Sequence, residues 1–161
     1  MKISQTTSEG DEINVSLSLF PESSISEIKD ILGNTDLIDI VLERNGNKSS
    51  VSQKELLELT EKIANYIIEN KNQIFYYYCD EINPIPGQRK NRKDTPAEYR
   101  NKLFSILFEK IKQKHPDSSI EDRLVIIETS EGKAYIHLIY HNSLFIKVNH
   151  IENYLYTISQ K

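Results

Sequence analysis

The chain has 161 residues, one cysteine, no tryptophan and a formal net charge of −4, with 38% hydrophobic and 27% charged residues. That length suits one ordinary domain, which buries about 68–70% of the surface its unfolded chain exposes. A lone cysteine excludes an internal disulfide and points to a reducing compartment. No apolar run approaches the roughly 20 residues that span a bilayer, and no apolar stretch follows Lys2 as a secretory signal requires, so the expectation is a soluble cytoplasmic protein without membrane contact.

The charge is unevenly placed. Residues 1–70 hold 6 Lys/Arg against 13 Asp/Glu, net −7, and residues 71–161 hold 14 against 11, net +3. Most of the excess lies in residues 88–102, where six cations (Arg89, Lys90, Arg92, Lys93, Arg100, Lys102) meet two acids (Asp94, Glu98), net +4. An acidic body disfavours sequence-independent nucleic-acid wrapping, which draws its affinity from many phosphate contacts, but suits one anion or one acidic protein surface.

In chain order, Ile13, Val15, Leu17 and Leu19 alternate with Asn14, Ser16 and Ser18, the period-2 pattern of a half-buried strand. Pro21 ends it. Ser24 to Leu32 suits a helical turn or two closed by Gly33-Asn34, and Leu37 to Glu43 reads as a second strand stopped at Asn45-Gly46-Asn47. Ser52-Gln53-Lys54-Glu55 fits a capping box opening a long helix, whose apolar stripe is Leu56, Leu59, Ile63, Tyr66 and Ile67.

Asn70-Lys71-Asn72 precedes an aromatic strand, Ile74-Phe75-Tyr76-Tyr77-Tyr78-Cys79-Asp80. The second long helix has Thr95 as N-cap, Pro96 at the first position and Glu98 at the third, with Leu103, Phe104, Leu107, Phe108 and Ile111 as its stripe. Arg100 lies one turn before Phe104 on the buried side, so its guanidinium must either snorkel out at the helix start or pair near the strand end, where Asp80 is the expected partner. Leu124 to Glu128 and Ala134 to Tyr140 read as a hairpin turned at Thr129-Ser130-Glu131-Gly132, Leu144 to Val148 as a third meander strand, and Asn149 onward as a last helix. The expected fold is therefore a single α+β domain over 1–161. It has a five- or six-stranded, mostly antiparallel sheet, two long helices mainly on one face and a C-terminal helix.

The strand end Tyr77-Tyr78-Cys79-Asp80, the arginine-bearing loop, Tyr99-Arg100-Asn101-x-Leu103-Phe104 with Phe108, the hairpin and the Asn-started helix together resemble a family of small bacterial proteins catalogued only as a domain of unknown function. The resemblance covers nearly the whole chain. It implies a bacterial cytoplasmic protein and carries no mechanism.

Each candidate residue has a chemical and a structural reading. Cys79 beside cations suits a nucleophile, yet cysteine is among the most buried residue types and no Gly-rich oxyanion turn accompanies it. His137-x-x-x-His141 has the look of a metal pair, but four residues along a strand span about 13 Å, too far for a shared ion, so neither metal nor cofactor is expected. Tyr76, Tyr77 and Tyr78 suit base stacking, except that a strand sends Tyr77 to the opposite face from the other two. Arg89, Lys90, Arg92, Lys93 and Arg100, supported by Tyr78, Cys79, Asp80 and Tyr99, remain as the partner- or anion-binding set. The leading expectation is a non-catalytic interaction or accessory protein, inhibitory or immunity-type, that turns its 84–100 loop to an acidic partner. The alternatives are an enzyme acting on a phosphorylated or acyl-carrier small molecule, whose strand–loop–helix–strand order resembles acetyltransferase topology without the glycine-rich pyrophosphate loop, and an RNA-binding protein.

Overall fold

A computed structural model of the chain describes residues 1–6, 10–45, 52–79 and 93–160. The strands are β1 (Lys2–Thr6), β2 (Glu12–Leu19), β3 (Asp36–Asn45), β4 (Gln73–Cys79), β5 (Ile120–Thr129) and β6 (Gly132–His141). The helices are α1 (Glu22–Ile25), α2 (Lys29–Leu32), α3 (Gln53–Glu69), α4 (Pro96–Lys114) and α5 (Phe145–Ser159). The fold is α+β, around one mixed sheet ordered β1-β2-β3-β4-β6-β5. Only β3 and β4 pair in parallel, joined through α3, the kind of crossover a parallel pair requires; the other neighbours are antiparallel.

Alternation along the strands divides the core in two. Val15, Ile38, Phe75 and Ile139 face α3 and α4, where Leu59, Ile67 and Ile111 complete a front-face cluster. Leu37, Ile74, Val125 and Leu138 face the back, under Ile28, Leu32, Val148 and Ile151 of the α1–α2 segment and α5. Both long helices thus cover one face, and their capping boxes at Ser52/Glu55 and Thr95/Glu98 are both formed. Glu61 on α3 accepts a hydrogen bond from the α4 cap residue His115 at 2.7 Å and pairs with Lys114 at 3.3 Å, joining the two helices laterally. On the back, Lys147 of α5 donates to the Leu32 carbonyl at 2.8 Å and to Thr35 Oγ1 at 2.7 Å. Gly33, at φ +57, supplies the backbone geometry that ends α2 there.

Two elements differ from the sequence reading. Strand β1 is additional: Lys2, Ser4 and Thr6 hide its pattern, and pairing with β2 makes it a strand. Leu144 to Val148 is helical rather than a third meander strand. A 3₁₀ turn at Asn142–Leu144 runs directly into α5, because His141 caps it by accepting from Ser143 N at 3.2 Å. Leu144, Val148 and Ile151 are then all buried on one side, the four-and-three spacing of a helix.

The capping boxes generate a stability prediction. Ser52→Ala and Thr95→Ala should each lose about 1 kcal/mol in urea denaturation with an unchanged slope. A loss near zero for either would mean that its helix start is held by packing alone.

Candidate functional site

Residues 80–92 are flanked by two elements that meet. Cys79, the last residue of β4, and Ala97, in the first turn of α4, are both fully buried and pack in one cluster with Tyr135 of β6. The sequence makes this contact possible locally: Pro96 starts the helix without needing its missing N–H, and the small Ala97 side chain lets the first turn lie against the strand. Burial pushes the Cys79 thiol up to about 12; the Arg100 charge acts against this and the Asp122 charge adds to it. At neutral pH the group is therefore a neutral thiol and a poor nucleophile.

Asp80, Arg89, Lys90 and Arg92 lie outside the described residues, and with them the expected Arg100–Asp80 pair. Lys93 is exposed. Arg100 and Tyr99 are half-buried, and neither is without an interaction. Tyr78 points to the opposite face, 45% exposed, away from Cys79. The tyrosine run divides as a strand demands: Tyr77 stacks on Phe104 at the front, with centroids 5.4 Å apart, and Tyr76 meets Phe20 edge-on at the back.

Sequence reasoning missed the polar centre of this region. His137, opposite Tyr77 on β6, has no exposed surface. Its Nδ1 lies 2.8 Å from Asp122 Oδ2 on β5, and its Nε2 lies 2.8 Å from the amide end of Asn101 on α4. The Phe104 ring covers the imidazole at 4.1 Å. The Asn101 atom that faces Nε2 is Oδ1, so each ring nitrogen of His137 lies against a side-chain oxygen. The sequence signal is a histidine inside the otherwise continuous apolar run Tyr135 to Tyr140, where an unpaired polar group is costly; its partners are 15 and 36 residues away in sequence.

His137 and His141 serve separate networks, since His141 is engaged by Ser143. Among the described residues no group of three or more His, Cys, Asp or Glu side chains is placed to hold a metal. An open groove of about 670 Å³ between α3 and α4 is lined by Lys54, Lys62, Lys110, Lys114, Glu58 and Glu61 among others. It lies about 20 Å along α4 from Ala97, and several of its charges answer one another or β1: Glu61 binds Lys114, and Lys62 donates to Gln5. No helix among the described residues is long and apolar enough to cross a membrane.

Two outcomes test this arrangement. His137→Phe leaves a largely buried carboxylate without its donor and should cost on the order of 3 kcal/mol, and a double-mutant cycle with Asp122→Leu should show that the two losses do not add. The alkaline limb tests the thiol. The folded Cys79 holds its proton to about 12 while the ordinary value is 9.0, so stability should fall as pH rises through that window, because the unfolded chain sheds the proton first. Tyr76, pushed up to about 12 chiefly by burial, acts in the same direction. Cys79→Ala should flatten part of this loss between pH 8 and 10.5, and an identical profile would place the thiol in a wetter setting. No protein-family model, curated protein or solved structure matches this chain.

Proposed function

We propose that the chain is a bacterial cytoplasmic interaction protein, accessory or inhibitory to a partner, that applies its 84–100 segment and the first turn of α4 to an acidic protein surface. The observation that carries this reading is the clamp: Cys79 and Ala97, on either side of residues 80–92, are fully buried in the same cluster. A segment rich in cations is thereby closed at its base by packing, so part of the ordering entropy of binding is met before the partner arrives. The net −7 of residues 1–70 supports an oriented approach, since an acidic partner is repelled by that half of the chain and drawn to the net +4 of residues 88–102.

The local acids have other work. Glu98 closes the α4 capping box, and Asp94 pairs with Lys102 at 2.7 Å. Lys93, exposed where the chain enters α4, supports the same face. The enzyme reading is less well supported at these residues, because a nucleophilic Cys79 needs the thiolate that burial disfavours and His137 is enclosed with both nitrogens engaged.

The test replaces Arg89, Lys90, Arg92 and Lys93 together by Ser or Gln and uses immobilised poly-glutamate as the probe. Wild-type protein should be retained at low ionic strength and released near physiological salt, where charges are screened over about 8 Å. The variant should not be retained, and its melting temperature should be unchanged. Equal retention of both proteins would reduce the segment to a solvated connector, and a large stability loss would make it a structural brace for the acidic half.

A further inference from the structure

The two edges of the sheet are finished differently. β1 is short at five residues, and Lys62 of α3 reaches over it to Gln5 and the Ser4 carbonyl. β5 is ten residues long, unbroken in its register with β6, free of proline and glycine, and carries Leu124-Val125-Ile126-Ile127 at its centre. No described strand lies beyond it. Edges of that kind are ordinarily blunted by proline, lysine or a bulge.

The orientation of its free backbone groups follows from the register. Asn142 N donates to the Ser119 carbonyl at 2.8 Å, and these two residues stand opposite one another in continuation of the β5–β6 ladder. Hydrogen-bonded pairs alternate along an antiparallel ladder, so Ser119, Glu121, Arg123, Val125 and Ile127 direct their N–H and C=O groups to β6. Asp122, Leu124, Ile126 and Glu128 direct theirs outward.

A second feature overhangs the same edge. Arg123 on the back face of β5 donates to Asn149 and Glu152 of α5, and its guanidinium lies 5.6 Å from the Phe145 ring centroid. Phe145, Asn149, Glu152 and Tyr156 follow at spacings of four, three and four, one stripe of the helix. Phe145 and Tyr156 are exposed, at 51% and 38%. The stripe therefore lies on the Arg123 side of α5 and presents two aromatic rings without covering them.

From these observations we infer that β5 is the interface of a homodimer, in which β5 of a second copy adds in antiparallel sense about a two-fold axis through Ile126. In that register Ile126, 39% exposed, stands opposite Ile126 of the second copy. Leu124 stands opposite Glu128, Val125 opposite Ile127, and Arg123 opposite Thr129. Over the paired span 123–129, outward-facing residues meet outward-facing residues and no like charges are directly opposed, whereas an axis through Val125 would set Asp122 against Glu128 within the strands; Glu121 falls opposite Glu131, which lies past the strand end in the hairpin turn. The packing layers agree with it. α5 rides over β5 and β6, so two copies of it would run antiparallel about 10 Å apart, the separation of packed helices. α4 rides over β4 and β6, so its two copies would stand about 19 Å apart and not collide.

The dimer also deepens the proposed function, and this consequence rests on that reading. Cys79, Tyr135 and Ile126 occupy one row across β4, β6 and β5. The two copies of that row would join end to end, placing the bases of both cationic segments about 24 Å apart on one face of a continuous sheet. Such a dimer offers an acidic partner two attachment points.

Sedimentation equilibrium of the purified chain should show a dimer across about 1–100 µM, and Ile126→Lys should weaken it about tenfold or more by opposing two charges at the axis. Ile126→Cys gives an independent readout. A hydrogen-bonded pair on the axis has Cα atoms about 5.5 Å apart, within disulfide range, so mild oxidation should link two chains, while Glu128→Cys, opposite Leu124, should not. A wild-type monomer throughout that range, a dimer indifferent to Ile126→Lys, or no interchain disulfide in Ile126→Cys would each overturn the inference. Should Ile126→Lys fail to fold, the disulfide pattern decides alone. None of these measurements involves poly-glutamate, so failure here is separable from failure of the cationic segment to bind.

Discussion

A histidine with no access to water must have both ring nitrogens satisfied by the protein, and His137 meets that demand with one group from β5 and one from α4. The requirement reaches well beyond the imidazole. Asp122 is drawn inward from the edge strand, which ties β5 to β6 by a side-chain contact as well as by the ladder. Asn101 is drawn down onto the sheet, which fixes the rotation of α4 about its axis. Once that rotation is set, Ala97, one turn earlier, lies against Cys79 and Tyr135, and Phe104, one turn later, lies over the imidazole between Tyr77 and Phe108. The base of the 80–92 segment is therefore positioned by a polar contact that belongs to neither of its ends.

The same network bears on the edge. An inward-pointing acid is one of the devices by which sheet edges avoid unwanted pairing. Asp122 serves at one end of β5 only, with a single carboxylate oxygen engaged and the other lacking a donor among the described residues. From Leu124 to Ile127 the edge is apolar and regular. Protection confined to one end selects a register more than it prevents pairing, because a partner strand that avoids the acid is displaced toward the Thr129 end.

Charge and packing divide the labour in this chain. The apolar clusters on the two faces of the sheet account for cohesion, and ion pairs such as Lys29–Glu22 and Lys133–Glu128 are exposed ones of the sort that contribute little. In the residue order an acidic first half, net −7, precedes a locally cationic stretch, net +4 over residues 88–102, and under the function proposed above that asymmetry would act on encounters over about a screening length.

Local chemistry was legible in the residue order wherever one residue's neighbours sufficed to define it. Capping boxes need four consecutive residues, the β2 strand needs a period of two, β4 needs a run of aromatic residues, and both long helices need one stripe; each of these was readable because the physics is short-range. The division of Tyr76, Tyr77 and Tyr78 between faces was readable for the same reason. Strand β1 was not, since its polar residues acquire strand geometry only by pairing with β2, and Leu144 to Val148 was misread because five apolar-rich residues satisfy a strand and a helix equally until a core chooses between them. The network of His137, Asp122 and Asn101 could not be read at all. It joins residues 15 and 36 positions apart, and nothing in either interval marks the other end. The sequence by itself determined the elements, their amphipathic faces and the location of the charge. Only the tertiary structure decided which buried polar groups meet and which strand is left at the edge, because both depend on the order in which strands assemble, a long-range property that no local pattern encodes.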